Sequence, residues 1–260
     1  MKTISIVIIF TILLVIISQT SAQNNVNYKT VYPAGIFIGY GLGSYSVKDE
    51  YISREKYSGT LPCFNVAWVR FHDKNGYRLE FEYRNSSKIS NNKISAKVGQ
   101  FTFNQDYIYF LGNVSMFSRN IYAYLGPSVQ LFYYDINYNF AAPGTFISPK
   151  TFGLLGSLGI NSEFIYLFNE KLLVECLLRS NLISFCFKDN DEQKYGDESS
   201  PTLTTALTAT KFDYTLAVRY YLISNVSISL GYRFDFSRID KWDPYIAASN
   251  NLFTSLNYAF

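Results

Sequence analysis

From residue 36 onward the chain repeats one arrangement. Apolar side chains take every second position for eight or more residues, then a polar turn follows. The clearest stretch is YRLEFEYR. Tyr77, Leu79, Phe81 and Tyr83 share one parity, and Arg78, Glu80, Glu82 and Arg84 share the other. A helix would scatter both sets around its axis, whereas a strand puts them on opposite faces. VSISLGYRFDFSR repeats the pattern, with Arg233 and Asp235 opposite Tyr232, Phe234 and Phe236. In FDYTLAVRYYLI, Asp213 and Arg219 oppose Tyr214, Leu216, Val218 and Tyr220. TFGLLGSLGINSEFIYLF sets Glu163 against Leu158, Ile160, Phe164 and Tyr166. KLLVECLLRSNLISFCF puts Glu175, Arg179 and Asn181 on one face. Two irregularities are expected: a bulge that changes facing near Gln105, and a break in the ladder at Pro127, which has no N–H to donate.

The connections alternate in length. HDKNG, Ser118-Arg119-Asn120, Asn169-Glu170 and Ser224-Asn225 are tight. KDEYISREKYSG, the stretch with Lys88, Lys93 and Lys97, NFAAPGTFISP, KDNDEQKYGDESSP and the segment around KWDPYIAAS are long and polar. An even number of strands with short turns at one end and long loops at the other predicts an all-β fold: a transmembrane antiparallel up-and-down β-barrel. About ten strands fit the pattern, rather than eight or twelve. A soluble sandwich or lipocalin-like barrel would also alternate, but it would bury its apolar face. Phe71, Phe117, Tyr122, Phe168, Tyr220 and Phe260 lie beside the short turns and are expected to form an interfacial girdle.

Composition supports the membrane reading. The chain is 18% aromatic, with 23 Tyr and 22 Phe, and such rings gather where one end is apolar and the other wet. Residues 1–22 read as a cleaved secretory signal: Lys2, an apolar run from Ile4 to Ile17, then Thr20-Ser21-Ala22. Residues 23–35 form a short periplasmic segment and 36–260 the barrel. Without Lys2, 22 basic residues stand against 20 acidic ones, a balance that points to no nucleic-acid partner. Cys63, Cys176 and Cys186 read as small apolar fillers. Cys176 and Cys186 lie too far apart along one strand to bridge, and a bond from Cys63 to either stays open.

The polar parity collects Arg78, Glu80, Glu82 and Arg84 with Glu163, Glu175, Arg179, Arg219, Arg233 and Asp235. Five are basic and five acidic, so a salt-bridged, plugged lumen is expected, with a narrow channel as the alternative. Gly39, Gly41 and Gly43 alternate along the first strand and leave room for lumenal neighbours.

The final segment, NLFTSLNYAF, resembles the C-terminal signature of bacterial outer-membrane barrels, carried by Leu252, Leu256, Tyr258 and Phe260. The resemblance implies a closing strand, an outer-membrane location in contact with its lipid, and recognition by the barrel-assembly machinery. Omptin-type proteases are superficially similar in size and strand number, but that family uses an Asp-His pair at the external mouth. Outer-membrane lipid A deacylases and palmitoyltransferases also use an external His. Here the one histidine, His72, falls in a short turn on the periplasmic side, so no catalysis is expected. No His/Cys cluster suggests a metal or other cofactor. The acidic loop with Asp189, Asp191, Glu192, Asp197 and Glu198 reads as solvated. The functional expectation is a rigid barrel that displays loops for binding, adhesion or envelope integrity. Tyr51, Tyr57, Phe140, Phe146, Tyr195, Trp242 and Tyr245 are the loop aromatics that would meet an extracellular ligand. A small solute pore is the alternative.

Overall fold

The computed structural model describes residues 34–50, 53–72, 74–91, 94–116, 119–139, 150–190, 201–240 and 244–259. Among them, twelve antiparallel strands form one sheet that closes on itself. They are β1 (Gly35–Asp49), β2 (Ser53–Thr60), β3 (Cys63–His72), β4 (Asn75–Ser90), β5 (Ser95–Met116) and β6 (Arg119–Asn139). They continue as β7 (Lys150–Asn169), β8 (Leu172–Asn190), β9 (Thr202–Thr205), β10 (Ala209–Ile223), β11 (Val226–Ile239) and β12 (Tyr245–Tyr258). β2 and β3 both lie between β1 and β4, and β9 and β10 both pair with β8, so the ring has about ten positions. Pro62 explains the first interruption, because it cannot donate to the ladder. Leu61 and Asn85 backbone N–H groups, bonded to the carbonyls of Gly43 (3.0 Å) and Pro62 (3.4 Å), keep that stretch in the wall.

Closure runs along β1 and β12, from Ile36 opposite Tyr258 to Asp49 opposite Tyr245. β12 also pairs with β11 over its whole length, so neither edge of NLFTSLNY is bare. Phe260 lies outside the described residues. A ladder path starting at Tyr220 passes Ile228, Leu256, Ile38, Val66, Phe81, Phe103, Leu131 and Gly156 and reaches β8 at Phe185. Tyr220 itself pairs with Leu172 of β8. That stagger is the shear of a closed barrel, whose strands tilt roughly 35–45° from its axis.

Several expected loops are strand instead. β1 and β2 take up most of KDEYISREKYSG, and β4 and β5 extend through Lys88 and Lys97. These polar segments still alternate, and β-pairing satisfies their backbone better than an open loop would. The bulge expected near Gln105 is absent; β5 keeps its facing there and shifts register between Phe110 and Gly112.

Two other ladder breaks are patched by buried asparagines. At Gly126-Pro127 the pairs to Tyr107 and Ile108 are missing. Asn161 Nδ2 reaches from β7 to the carbonyls of Tyr107 (2.9 Å), Gly126 (3.1 Å) and Pro127 (3.0 Å). Between β9 and β10 the turn Ala206–Thr208 leaves the wall. There Asn181 donates to the Ala209 carbonyl (2.5 Å) and accepts from the Lys211 N–H (2.7 Å). Opposite it, Leu182 and Ile183 both face outward, which returns Ser184, Cys186 and Lys188 to the inner face.

The outer surface carries an apolar belt. Ile36, Ile38, Tyr40 and Leu42 of β1, Phe81 and Tyr83 of β4, Leu158 and Ile160 of β7, and Leu252, Leu256 and Tyr258 of β12 are all exposed. A continuous apolar band of this kind is a lipid-facing surface. Its short-turn rim is aromatic, but not as expected. Phe168 and Tyr220 do face out, joined by Tyr77, Tyr107 and Tyr109. Phe71 and Tyr122 point into the lumen and are 6% and 5% exposed, because their parity is that of the inward charges. Phe117 lies outside the described residues.

Candidate functional site: the barrel lumen

The inward faces of the strands build three layers. At the short-turn end, Phe37, Val69, Phe71, Ile108, Phe110, Tyr122, Tyr124, Ile165 and Leu173 pack across the lumen. The Tyr124 ring meets Phe71 edge-on at 5.6 Å and Phe110 at 5.4 Å. At the far end a second cluster includes Tyr45, Tyr57, Phe132, Tyr134, Tyr138 and Tyr245. Tyr134 and Tyr245 stack at 3.9 Å, and Tyr57 meets Tyr138 edge-on at 5.3 Å. Tyr57 and Tyr245, expected among the exposed loop aromatics, are therefore 0% exposed and lumenal. Tyr51, Phe140, Phe146, Tyr195 and Trp242 lie outside the described residues, as do Asp191, Glu192, Asp197 and Glu198 of the acidic loop.

Between the two clusters lies the charged layer, and all ten sequence-predicted residues are buried in it. The alternating row on β4 supplies its spine. Arg78 donates to Glu163 (3.0 Å) and Glu175 (2.9 Å), and Arg219 donates to the other oxygen of Glu175 (2.7 Å). The Arg219 guanidinium also lies over the Phe37 ring at 4.5 Å, which ties this group to the aromatic layer below. One step along, Arg233 bridges Glu80 and Glu82, and Arg84 bridges Glu82 and Asp235. Arg179 joins Glu80 (2.6 Å) to Asp106 (2.7 Å). Signs alternate from one group to the next, and the bridges run from β4 to β7, β8 and β11, with Arg219 of β10 joined through Glu175 of β8. Each buried charge thus meets the opposite charge that burial requires.

Five members of the inner charge set are additional to the predicted ten. Lys211 pairs with Asp213 at 2.6 Å and lies 3.7 Å from Asp235. Asp49 accepts from Lys188 (2.9 Å) and Thr151 (2.7 Å) beside the far cluster. The fifth is Asp106. The parity of Asp213 was visible in the sequence. Asp106 was obscured by the expected bulge near Gln105, Lys188 lies behind the real bulge at Leu182, and Asp49 sat in an expected loop.

Among the described residues, small cavities of about 50 Å³ beside Arg78 and Arg219 and about 10 Å³ beside Arg84 and Lys211 lie within the charged layer. Gly39 admits the Asn65 side chain, whose amide oxygen would collide with a Cβ there. The three cysteines are free thiols. Among the described residues no group of His, Cys, Asp and Glu is arranged to hold a metal ion. His72 is exposed at the short-turn end of β3.

Apolar belt, aromatic rim, closed antiparallel ring and charge-filled lumen together define an integral β-barrel of the outer-membrane class, and the outer membrane is where this chain resides. No protein-family model matches it, and no curated protein matches it in sequence. Solved structures do. The outer-membrane protease OmpT of Escherichia coli is similar in fold over 88% of this chain and 97% of its own, with 8% identity and a TM-score of 0.55. The translocator domain of the Neisseria meningitidis autotransporter NalP aligns over 100% of this chain and 97% of its own at 12% identity, with a TM-score of 0.45. The β domain of the Bordetella autotransporter BrkA aligns over 88% and 100% at 10% identity, with a TM-score of 0.42. At 8% identity, what this chain shares with OmpT is its fold.

Proposed function

We propose that this protein is a sealed outer-membrane scaffold, a rigid wall that carries the connections at its far end, rather than a solute channel or an enzyme. The observation that supports this most is the layering of the lumen: aromatic clusters lie on both sides of a bridged charge layer. Wide aqueous channels belong to barrels of 16–18 strands, and about ten leave room for little beyond side chains. On this reading the far end faces the cell exterior and its connections meet an extracellular ligand or a component of the envelope. Leu252, Leu256 and Tyr258 form the lipid-facing edge of β12, the pattern that the assembly machinery would read. An omptin-like reaction finds no support, because His72 stands at the end opposite the proposed outer mouth.

The test is single-channel conductance of the refolded protein in a planar bilayer, with folding checked by a heat-sensitive gel shift. A folded, silent barrel is expected. Steady steps of uniform size that change in Glu82→Ala would overturn the sealed reading in favour of a small pore.

A further inference from the structure

We infer that the outward-facing lysines at the far end of β2, β4, β5 and β7 form a docking site for a membrane lipid whose headgroup carries more than one phosphate. Lys56, Lys88, Lys97 and Lys150 are exposed on the outer face of the wall. The register brings like charges together. Lys56 pairs directly with Lys48 across β1 and β2. Ser86 pairs with Val98 and Ile89 with Ala96, so the bulge between them sets Lys88 beside Lys97. Opposed like charges destabilise a sheet unless something neutralises them. Lys48 has Glu50 at 2.6 Å. Among the described residues no carboxylate forms an ion pair with Lys56, Lys88, Lys97 or Lys150. Of the acids on this face, Glu55 accepts from Asn91 (2.9 Å) and Asp135 from Asn137 (3.1 Å); Asp135 also faces Lys150 without forming an ion pair with it, so Lys56, Lys88 and Lys97 carry the least compensated charge.

Position argues for a lipid rather than a free anion. Directly beneath the lysines runs a second aromatic rim. Tyr83, Phe101 and Tyr133 are in register across β4, β5 and β6, and Phe152 carries it on, 6.4 Å from Tyr133 and 5.8 Å from Phe187. On β5, Gly99 alone separates Phe101 from Lys97 on the outward face. Aromatic rims mark the membrane interface, and basic residues just beyond one meet headgroup phosphates. From Lys56 to Lys150 is four strand spacings, roughly 19 Å, more than one phosphate can span. The inference goes beyond the sealed-scaffold reading and does not depend on it, since a conducting barrel could carry the same lysines.

The test is titration of bisphosphorylated lipid A into the folded protein in neutral detergent micelles, with bound lipid counted by native mass spectrometry. Lys88→Gln/Lys97→Gln is expected to weaken binding about 25-fold, or about fivefold per lysine, with the heat-sensitive gel shift unchanged. Lys74→Gln/Lys171→Gln at the short-turn end, which removes the same charge, is expected to leave binding unchanged. Equal weakening in both variants would reduce the effect to net charge and overturn the site. Undiminished binding of a dephosphorylated lipid A would reduce it to the apolar belt. Inorganic phosphate competing at the same concentration as the lipid would make it a free-anion site. Any of the three refutes the proposal.

Discussion

Arg179 has the most demanding position in the lumen. Its guanidinium is held by Asp106 through Nε (2.9 Å) and Nη2 (2.7 Å) and by Glu80 at 2.6 Å. Removing it leaves Asp106 with the Ser128 hydroxyl (2.6 Å) in place of a cation, and takes from Glu80 one of its two arginines, since Glu80 keeps Arg233. Arg219 is less demanding, because Glu175 keeps Arg78 when it is gone. Arg179→Ala should therefore cost about 3–5 kcal/mol, within the range for breaking a buried ion pair, and Arg219→Ala clearly less. Urea unfolding in micelles, followed by tryptophan fluorescence, measures both; equal losses would contradict the ranking. These charges were legible because parity alone names the inward face of a strand. Phe71, Tyr122, Tyr57 and Tyr245 were misplaced for the opposite reason. Their chemistry suits a rim or a loop, and only their parity puts them inside, within the strand for Phe71 and Tyr122 and past the apparent strand ends for Tyr57 and Tyr245.

At the scale of elements, the wall depends on side chains wherever its ladder fails. Asn161 serves three carbonyls opposite Pro127, and Asn181 replaces backbone groups where Ala206–Thr208 leaves the sheet. In a membrane, unmet backbone groups have no water to turn to. Asn181→Ala should thus destabilise the barrel by about 1–3 kcal/mol for each backbone group left bare, and hydrogen exchange should rise at Ala209 and Lys211 before it rises elsewhere on β10. Uniform exchange along β10 would show that the asparagine does not close the gap. Asn181 was assigned to the polar face from sequence, but its task was not legible, because the break it repairs lies on another strand.

At the scale of the whole molecule, the proposed seal would consist of two separate aromatic layers. Opening one aromatic layer should leave the barrel silent. Tyr134→Ala/Tyr245→Ala is expected to stay non-conducting in a planar bilayer, and so is Phe71→Ala/Tyr124→Ala. All four substitutions together should admit ions only as far as the charge layer, so conductance should appear when Arg179 and Glu80 are also replaced by serine. Conductance from either double variant would mean that the layers do not seal independently.

Alternation, turn spacing and the aromatic ending of the chain were enough to set the fold, the approximate strand number and the inward charge row. All of these follow from the two-residue period of a strand, a local property. The tertiary structure decided what period alone cannot carry across a break: which polar stretches extend as strand, where bulges at Phe110 and Leu182 restore facing, and which charges meet across the lumen. It also decided that the lumen ends in two aromatic layers. A ring closed with a fixed stagger brings residues more than a hundred positions apart into contact, as Arg84 and Asp235 are, and no local pattern records that distance.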